Sequence, residues 1–255
     1  MFPALFSNKS YGTQFAYLIL FILGGITIFT SLALLIGQIF NLEAGSRIYL
    51  YVMQSISALG VFMVPALLFS YCSTKNCFSF SDANKKVEAK WIGYVMLLSI
   101  IILPLIAGFV YLNEQIKFPA SLHNIEVWMR EMEEKNNILT QTLTAHSTIS
   151  ILLVNIVIMA VFPALFEEFL FRGTLQPFFT QWFHNKHLAI ILTAFIFSSI
   201  HFQFFGFIPR FLLGIYLGYL LTWKKTLWLP ITAHFCHNAL SLILDYCKQQ
   251  GFYAY

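Results

Sequence analysis

Charge is what this sequence has least of. Of its 255 residues, 10% are Asp, Glu, Lys or Arg, against 58% hydrophobic and 18% aromatic. Soluble domains carry roughly 25% charged residues, and so apolar a chain would lack the polar surface to cover a soluble core. A water-soluble fold is excluded, and the class is an all-α integral membrane protein. Cysteine is also sparse: Cys72, Cys77, Cys236 and Cys247 form no CxxC pair, so they read as free thiols rather than a disulfide framework. There is no strand-like alternation, no repeat and no low-complexity tract. The N-terminus "MFPALFSNKSYG" lacks a basic segment and a cleavage site. The apolar run after it is too long for a signal peptide, so it reads as a retained span. The net charge of +4 does not point to nucleic acid, because in a membrane protein the position of the basic residues matters more than their sum.

Long apolar runs are abundant. Stretches of roughly 18 residues or more are candidate membrane spans, and they fall at about 15–40, 48–71, 92–112, 149–170, 188–204, 207–222 and 227–245. The expected fold is a polytopic bundle of seven to eight transmembrane helices. One long polar insert separates the third and fourth spans. In it Ile125, Trp128, Met129 and Met132 recur at helical spacing between charges, which predicts an amphipathic helix on the membrane surface or capping the bundle. The chain is a single membrane domain, 1–255, with N-terminal spans and the insert over 1–147 and the chemistry over 148–247. Lys75, Lys85, Lys86 and Lys90, then Lys186, then Lys224 and Lys225 fall on one side if seven spans alternate. The positive-inside rule makes that side cytoplasmic. Arg47, Lys117, Arg130, Lys135, Arg210 and Lys248 fall on the other. The expected location is a multi-pass position in the inner or plasma membrane, if the cell is bacterial.

Against this background "AVFPALFEEFLFRG", 160–173, stands out. A charge near the centre of a span costs roughly 2.5 to 3.5 kcal/mol on insertion scales. Glu168 and Arg172 are i and i+4, share a helix face, and can neutralise each other. Glu167 is turned about 100° from Glu168, and Phe171 stands where its basic partner would be. Glu167 is the acid left over in a low-dielectric place, as a general base near neutral pH requires. The alternative is one buried ion network that only ties helices together.

Two later spans carry matching chemistry. "AFIFSSIHFQ" places His201 one turn after Phe197, and "LPITAHFCHNALSLILDY" places His234, His237, Asn238, Ser241 and Asp245 on the last span. Positions 234, 238, 241 and 245 form one helical stripe. If the helix bearing Glu167 runs past Gly173 to about Trp182, then Glu167, His201 and Asn238 lie ~22, ~21 and ~18 Å from one membrane face. A long helix is therefore expected, with Pro163 and Pro177 as kink points.

"EEFLFR", "FSSIH" and "HFCHN" fit Glu-Glu-x-x-x-Arg, Phe-x-x-x-His and His-x-x-x-Asn. In this order, on separate membrane helices, they resemble the three motifs of the CPBP group of CAAX proteases and bacteriocin-processing enzymes. That group includes the type II CAAX prenyl endopeptidases and the Abi proteins. The resemblance implies an intramembrane endopeptidase (a hydrolase) acting near a hydrophobic or lipidated segment of a peptide or protein in the lipid bilayer. It implies that Glu167 activates a water, that His201 helps hold it, and that His234 and Asn238 stabilise the oxyanion, with Glu168 and Arg172 completing the first motif. Cofactor-free catalysis is favoured. Zinc is the alternative, with His201, His234 and Glu167 as ligands, although no HExxH motif is present. Two other classes remain: a non-catalytic bacteriocin-immunity-type membrane protein, and a proton-coupled transporter using the same Glu and His residues.

Overall fold

The structure is a computed structural model that describes residues 4–6, 8–74, 86–115, 118–146 and 148–252. Lys75, Lys85, Lys117 and Cys77, used above for topology and thiol state, lie outside the described residues. The chain forms helical rods: α1, Tyr11–Ile39; α2, Arg47–Thr74; α3, Ala89–Glu114; α4, His123–Thr144; α5, Ile149–Phe183; α6, Lys186–Ser199; α7, Phe207–Lys224; and α8, Trp228–Gln249. The rods α1, α2, α3 and α5 are long and apolar enough to cross a membrane, and α6 is a shorter apolar helix. α7 and α8, of 18 and 22 residues, carry the polar groups described below. Large side chains such as Leu20, Ile28, Leu97, Ile101 and Leu105 are exposed on the outside of the bundle. In water that surface would drive aggregation; in a bilayer it is the lipid-facing coat. The fold is the polytopic membrane bundle expected, with the amphipathic helix, α4, between α3 and α5.

Local chemistry sets the helix ends. Ser10, Ser46, Thr148 and Asn185 each accept a backbone N–H from the first turn of the helix that follows, satisfying donors the helix itself leaves open. His184 and Lys225 adopt left-handed backbone, φ 50° and 51°, and end α5 and α7.

The long rods are not uniform. Wider π turns occupy Leu59–Met63, Ile156–Val161 and Phe171–Leu175, shortly before Pro65, Pro163 and Pro177. A proline has no N–H to give to the carbonyl four residues back, and its ring clashes with it. A π turn absorbs that mismatch without ending the helix. α5 therefore continues through Gly173 to Phe183, as the depth comparison required.

Small residues let the rods touch. A Cβ on Gly25 would lie 1.9 Å from the carbonyl oxygen of Gly60, so α1 and α2 meet backbone to backbone. On α7, Cβ atoms at Gly214 and Gly218 would come within 2.9 Å of Ala194 and 2.8 Å of Ile190 on α6, a small-xxx-small contact. The insert is tied at both ends. Arg47 donates to the carbonyls of Thr142 (3.3 Å) and Ala145 (2.5 Å), Trp128 packs on Phe204 at 5.1 Å, and the Arg130 guanidinium lies 4.6 Å over the Phe205 ring. At the opposite end of α7, Lys224 sits 3.4 Å over the Trp91 ring and Lys90 5.5 Å from it. Two of the lysine clusters assigned to one membrane side thus do lie together.

Candidate active site

Arg172 and Glu168 are the foundation. Both are fully buried, and Arg172 Nη1 donates to Glu168 Oε1 at 2.7 Å. The i, i+4 spacing on α5 places them there before any tertiary contact forms. Arg172 Nη2 then reaches across to the carbonyl of Gly214 at 3.1 Å, and Gln176, one turn on, donates to the carbonyl of Gly218 at 2.9 Å. Two i, i+4 pairs on facing helices fix the register of α5 against α7. The glycines serve because without side chains their carbonyls can be approached. Sequence reasoning missed this ladder; its signal was the Gly214-xxx-Gly218 spacing.

Glu168 has a third partner. Its Oε1 also accepts from His234 Nδ1 at 2.9 Å. Glu168 ties the first motif to the third as well as neutralising Arg172. With Nδ1–H committed to the carboxylate, His234 presents Nε2 to the site. His201 is held likewise: its Nδ1 donates to the carbonyl of Phe197 at 2.8 Å, leaving Nε2 forward. Phe197 thereby explains its own place in the second motif. Its ring lies 4.5 Å under the Arg172 guanidinium and meets His234 edge-on at 5.7 Å, while its carbonyl aims His201.

Both imidazoles point at one atom. His201 Nε2 and His234 Nε2 are 3.9 and 4.0 Å from Glu167 Oε2. That oxygen is buried and has no hydrogen-bond partner. The separations are too long for direct bonds, and each leaves room for a small polar molecule between imidazole and carboxylate. The leftover acid identified from sequence spacing is thus the one that faces both histidines.

Asn238 stands apart. It lines the same cavity, and its Nδ2 donates weakly, at 3.4 Å, to the carbonyl of Met159. That carbonyl is four residues before Pro163, which has no N–H to give it. The proline in α5 thus frees the acceptor that holds Asn238.

Two expectations need correction. His201 is not on a span: α6 ends at Ser199, and His201 lies in the turn beyond it. The turn forms because Phe202 takes left-handed backbone, φ 51°, and Ser198 Oγ donates to the carbonyl of Phe207 at 2.7 Å, folding the chain back into α7. Arg210, counted above with the outer-loop charges, lines the cavity instead. Its position early in α7, after that turn, directs it inward.

The cavity is about 530 Å³ and is walled by α2 to α8. Glu167, His201, His234 and Asn238 line it, as do His237, Ser241 and Asp245 along α8. The polar stripe read on the last helix is one of its walls. For zinc, tetrahedral bonds of about 2.0–2.1 Å would need ligand atoms somewhat closer together. Among the described residues no group of three or more His, Cys, Asp or Glu side chains stands at metal-holding spacing.

Fold and site together define a multi-pass helical membrane protein with a buried carboxylate and two imidazoles facing a cavity between the helices. Residues 149–240 match the family described as type II CAAX prenyl endopeptidase Rce1-like, and that segment carries all three of the motifs quoted above. A Bacillus subtilis (strain 168) protein described as uncharacterized protein YpbD is 30% identical over 90 residues, 34% of this chain and 43% of that protein. The match thus spans less than half of either chain. No solved structure matches this chain.

Proposed function

We propose that this protein is an intramembrane endopeptidase that hydrolyses a peptide bond with a water activated by Glu167. The observation that carries the reading is the unpartnered Glu167 Oε2, buried at the cavity wall with the Nε2 atoms of His201 and His234 at 3.9 and 4.0 Å. A water bridging these groups would be held in place, and close enough to Glu167 to lose a proton to it.

Hydrogen-bond counting refines the roles. With both Nδ1–H groups committed, the neutral imidazoles and the carboxylate present three acceptors to the water, which has two protons. One further proton completes the set, and we place it on His234 Nε2. In that form His234 donates to the oxyanion, as Asn238 Nδ2 does once it exchanges its long bond to Met159. Glu167 passes the water's proton to the leaving amine as the tetrahedral intermediate collapses. Preorganised donors of this kind are each worth about 10²–10³ in rate.

The apolar part of the cavity wall, with Ile106, Val110, Met159, Phe197, Leu213 and Leu242, suits a hydrophobic or lipidated peptide segment. Water and protein groups supply all the chemistry, so activity should persist after exhaustive chelation. Comparing membrane peptidomes of cells carrying the wild-type chain or Glu167→Gln tests the function. Peptides cut only in the wild type are expected, and identical peptidomes would refute it.

A further inference from the structure

The cavity holds a cation that this chemistry does not use. Arg210 donates through Nη2 to Gln203 Oε1 at 2.5 Å and through Nη1 to the Gln203 carbonyl at 3.5 Å. A guanidinium has five N–H groups, so three are left for another acceptor. No carboxylate lies within 4.0 Å of it among the described residues. Glu133 and Glu167 act on it only from beyond that distance, and Glu133 Oε2 accepts the backbone N–H of Phe205 at 3.3 Å. Glu167 faces the histidines. Asp245, the other acid on the cavity wall, is bonded by Gln249 at 2.8 Å; it lies 11 residues, about 16 Å of helix, beyond His234.

A charge inside a membrane protein costs free energy unless it is paired. Arg172 meets that need with Glu168; Arg210 meets only a neutral amide. That amide binds one edge of the guanidinium and fixes its plane, leaving the rest of the fork as a planar donor set. Such a fork matches a carboxylate.

We infer that Arg210, positioned by Gln203, binds a carboxylate of the bound peptide and so selects substrates by charge at a fixed distance from the scissile bond. The carboxylate belongs to an acidic side chain or to the peptide's own C-terminus. This inference rests on the endopeptidase reading, but it can be tested without turnover.

The full chain carrying Glu167→Gln is placed in lipid nanodiscs, and binding of fluorescent ten-residue apolar peptides is measured. One peptide ends in a carboxamide and contains Asn; a second ends in a carboxamide and contains Asp; a third ends in a free acid and contains Asn. Expected is a tighter complex for an anionic peptide by about tenfold to hundredfold, the worth of a charge-assisted bond. The form that gains, Asp or free terminus, identifies the source. Adding Arg210→Gln should erase that gain and leave the neutral peptide's affinity unchanged, and Arg210→Lys should restore only part of it. Equal binding of all three peptides overturns the inference. So does a preference that survives Arg210→Gln, or a uniform weakening, which would mark Arg210 as structural. Failure of the protease reading would show separately, as no cleavage by the chain with Glu167 intact.

Discussion

Replacing Glu168 by Gln should damage the fold, whereas the same change one residue earlier should not. Glu168 Oε1 accepts two charge-assisted bonds, from Arg172 at 2.7 Å and His234 at 2.9 Å, in a fully buried setting. Each such bond is worth about 1.5–3 kcal/mol, which gives roughly 3–6 kcal/mol for the two. Breaking a buried ion pair by removing one partner costs about 3–5 kcal/mol by mutagenesis, and the two figures agree. Glu168→Gln keeps the shape but leaves Arg172 as an uncompensated cation, so the folding equilibrium should shift by about two to four decades. Glu167 has no partner at its inner oxygen, so Glu167→Gln should leave stability within about 1 kcal/mol of wild type, the range of a change that breaks no strong interaction. Equilibrium unfolding of purified protein in mixed micelles measures both. A Glu168→Gln protein as stable as wild type, or a Glu167→Gln protein that loses more, would refute the division into a structural acid and a chemical one.

Asn238→Ala should lower the cleavage rate about 10²- to 10³-fold with normal expression, measured as single-turnover rate; a change below threefold removes Asn238 from the oxyanion role. Pro163→Ala returns an N–H to the carbonyl of Met159 that Asn238 uses. It should slow cleavage less than Asn238→Ala does, without lowering thermal stability. Gly25→Ala should disrupt the contact of α1 with α2, since its Cβ would meet Gly60 oxygen at 1.9 Å, while Gly24→Ala meets nothing within 4 Å and should be silent. Thermal aggregation of the two proteins in detergent gives the comparison, and equal behaviour contradicts the packing described.

Much of this architecture was legible because membranes simplify the reading. Scarce charge and long apolar runs mark out the rods, and the Glu168–Arg172 pair follows from spacing within one helix. Contacts between helices are different. His234 and Glu168 are 66 residues apart, and no spacing rule says that α8 crosses α5 at that turn. The motif resemblance groups the two residues without saying which atoms meet. Arg210 was misplaced for a related reason. An arginine near a helix start reads as a loop charge, and only the left-handed turn at Phe202 and the return into α7 direct it inward. His201 was placed on a span because "FSSIHF" stays apolar through the helix end, while the backbone turns under a local hydrogen bond that hydropathy does not register.

The central claim is that Glu167 activates water rather than attacking the peptide itself. Single-turnover cleavage by the purified chain in H₂¹⁸O, read by mass spectrometry, tests it most directly. Heavy oxygen is expected in the new carboxyl group of the product and none in the Glu167 side chain, with no product from Glu167→Gln. Label appearing on Glu167, or cleavage by Glu167→Gln at the wild-type rate, would contradict it.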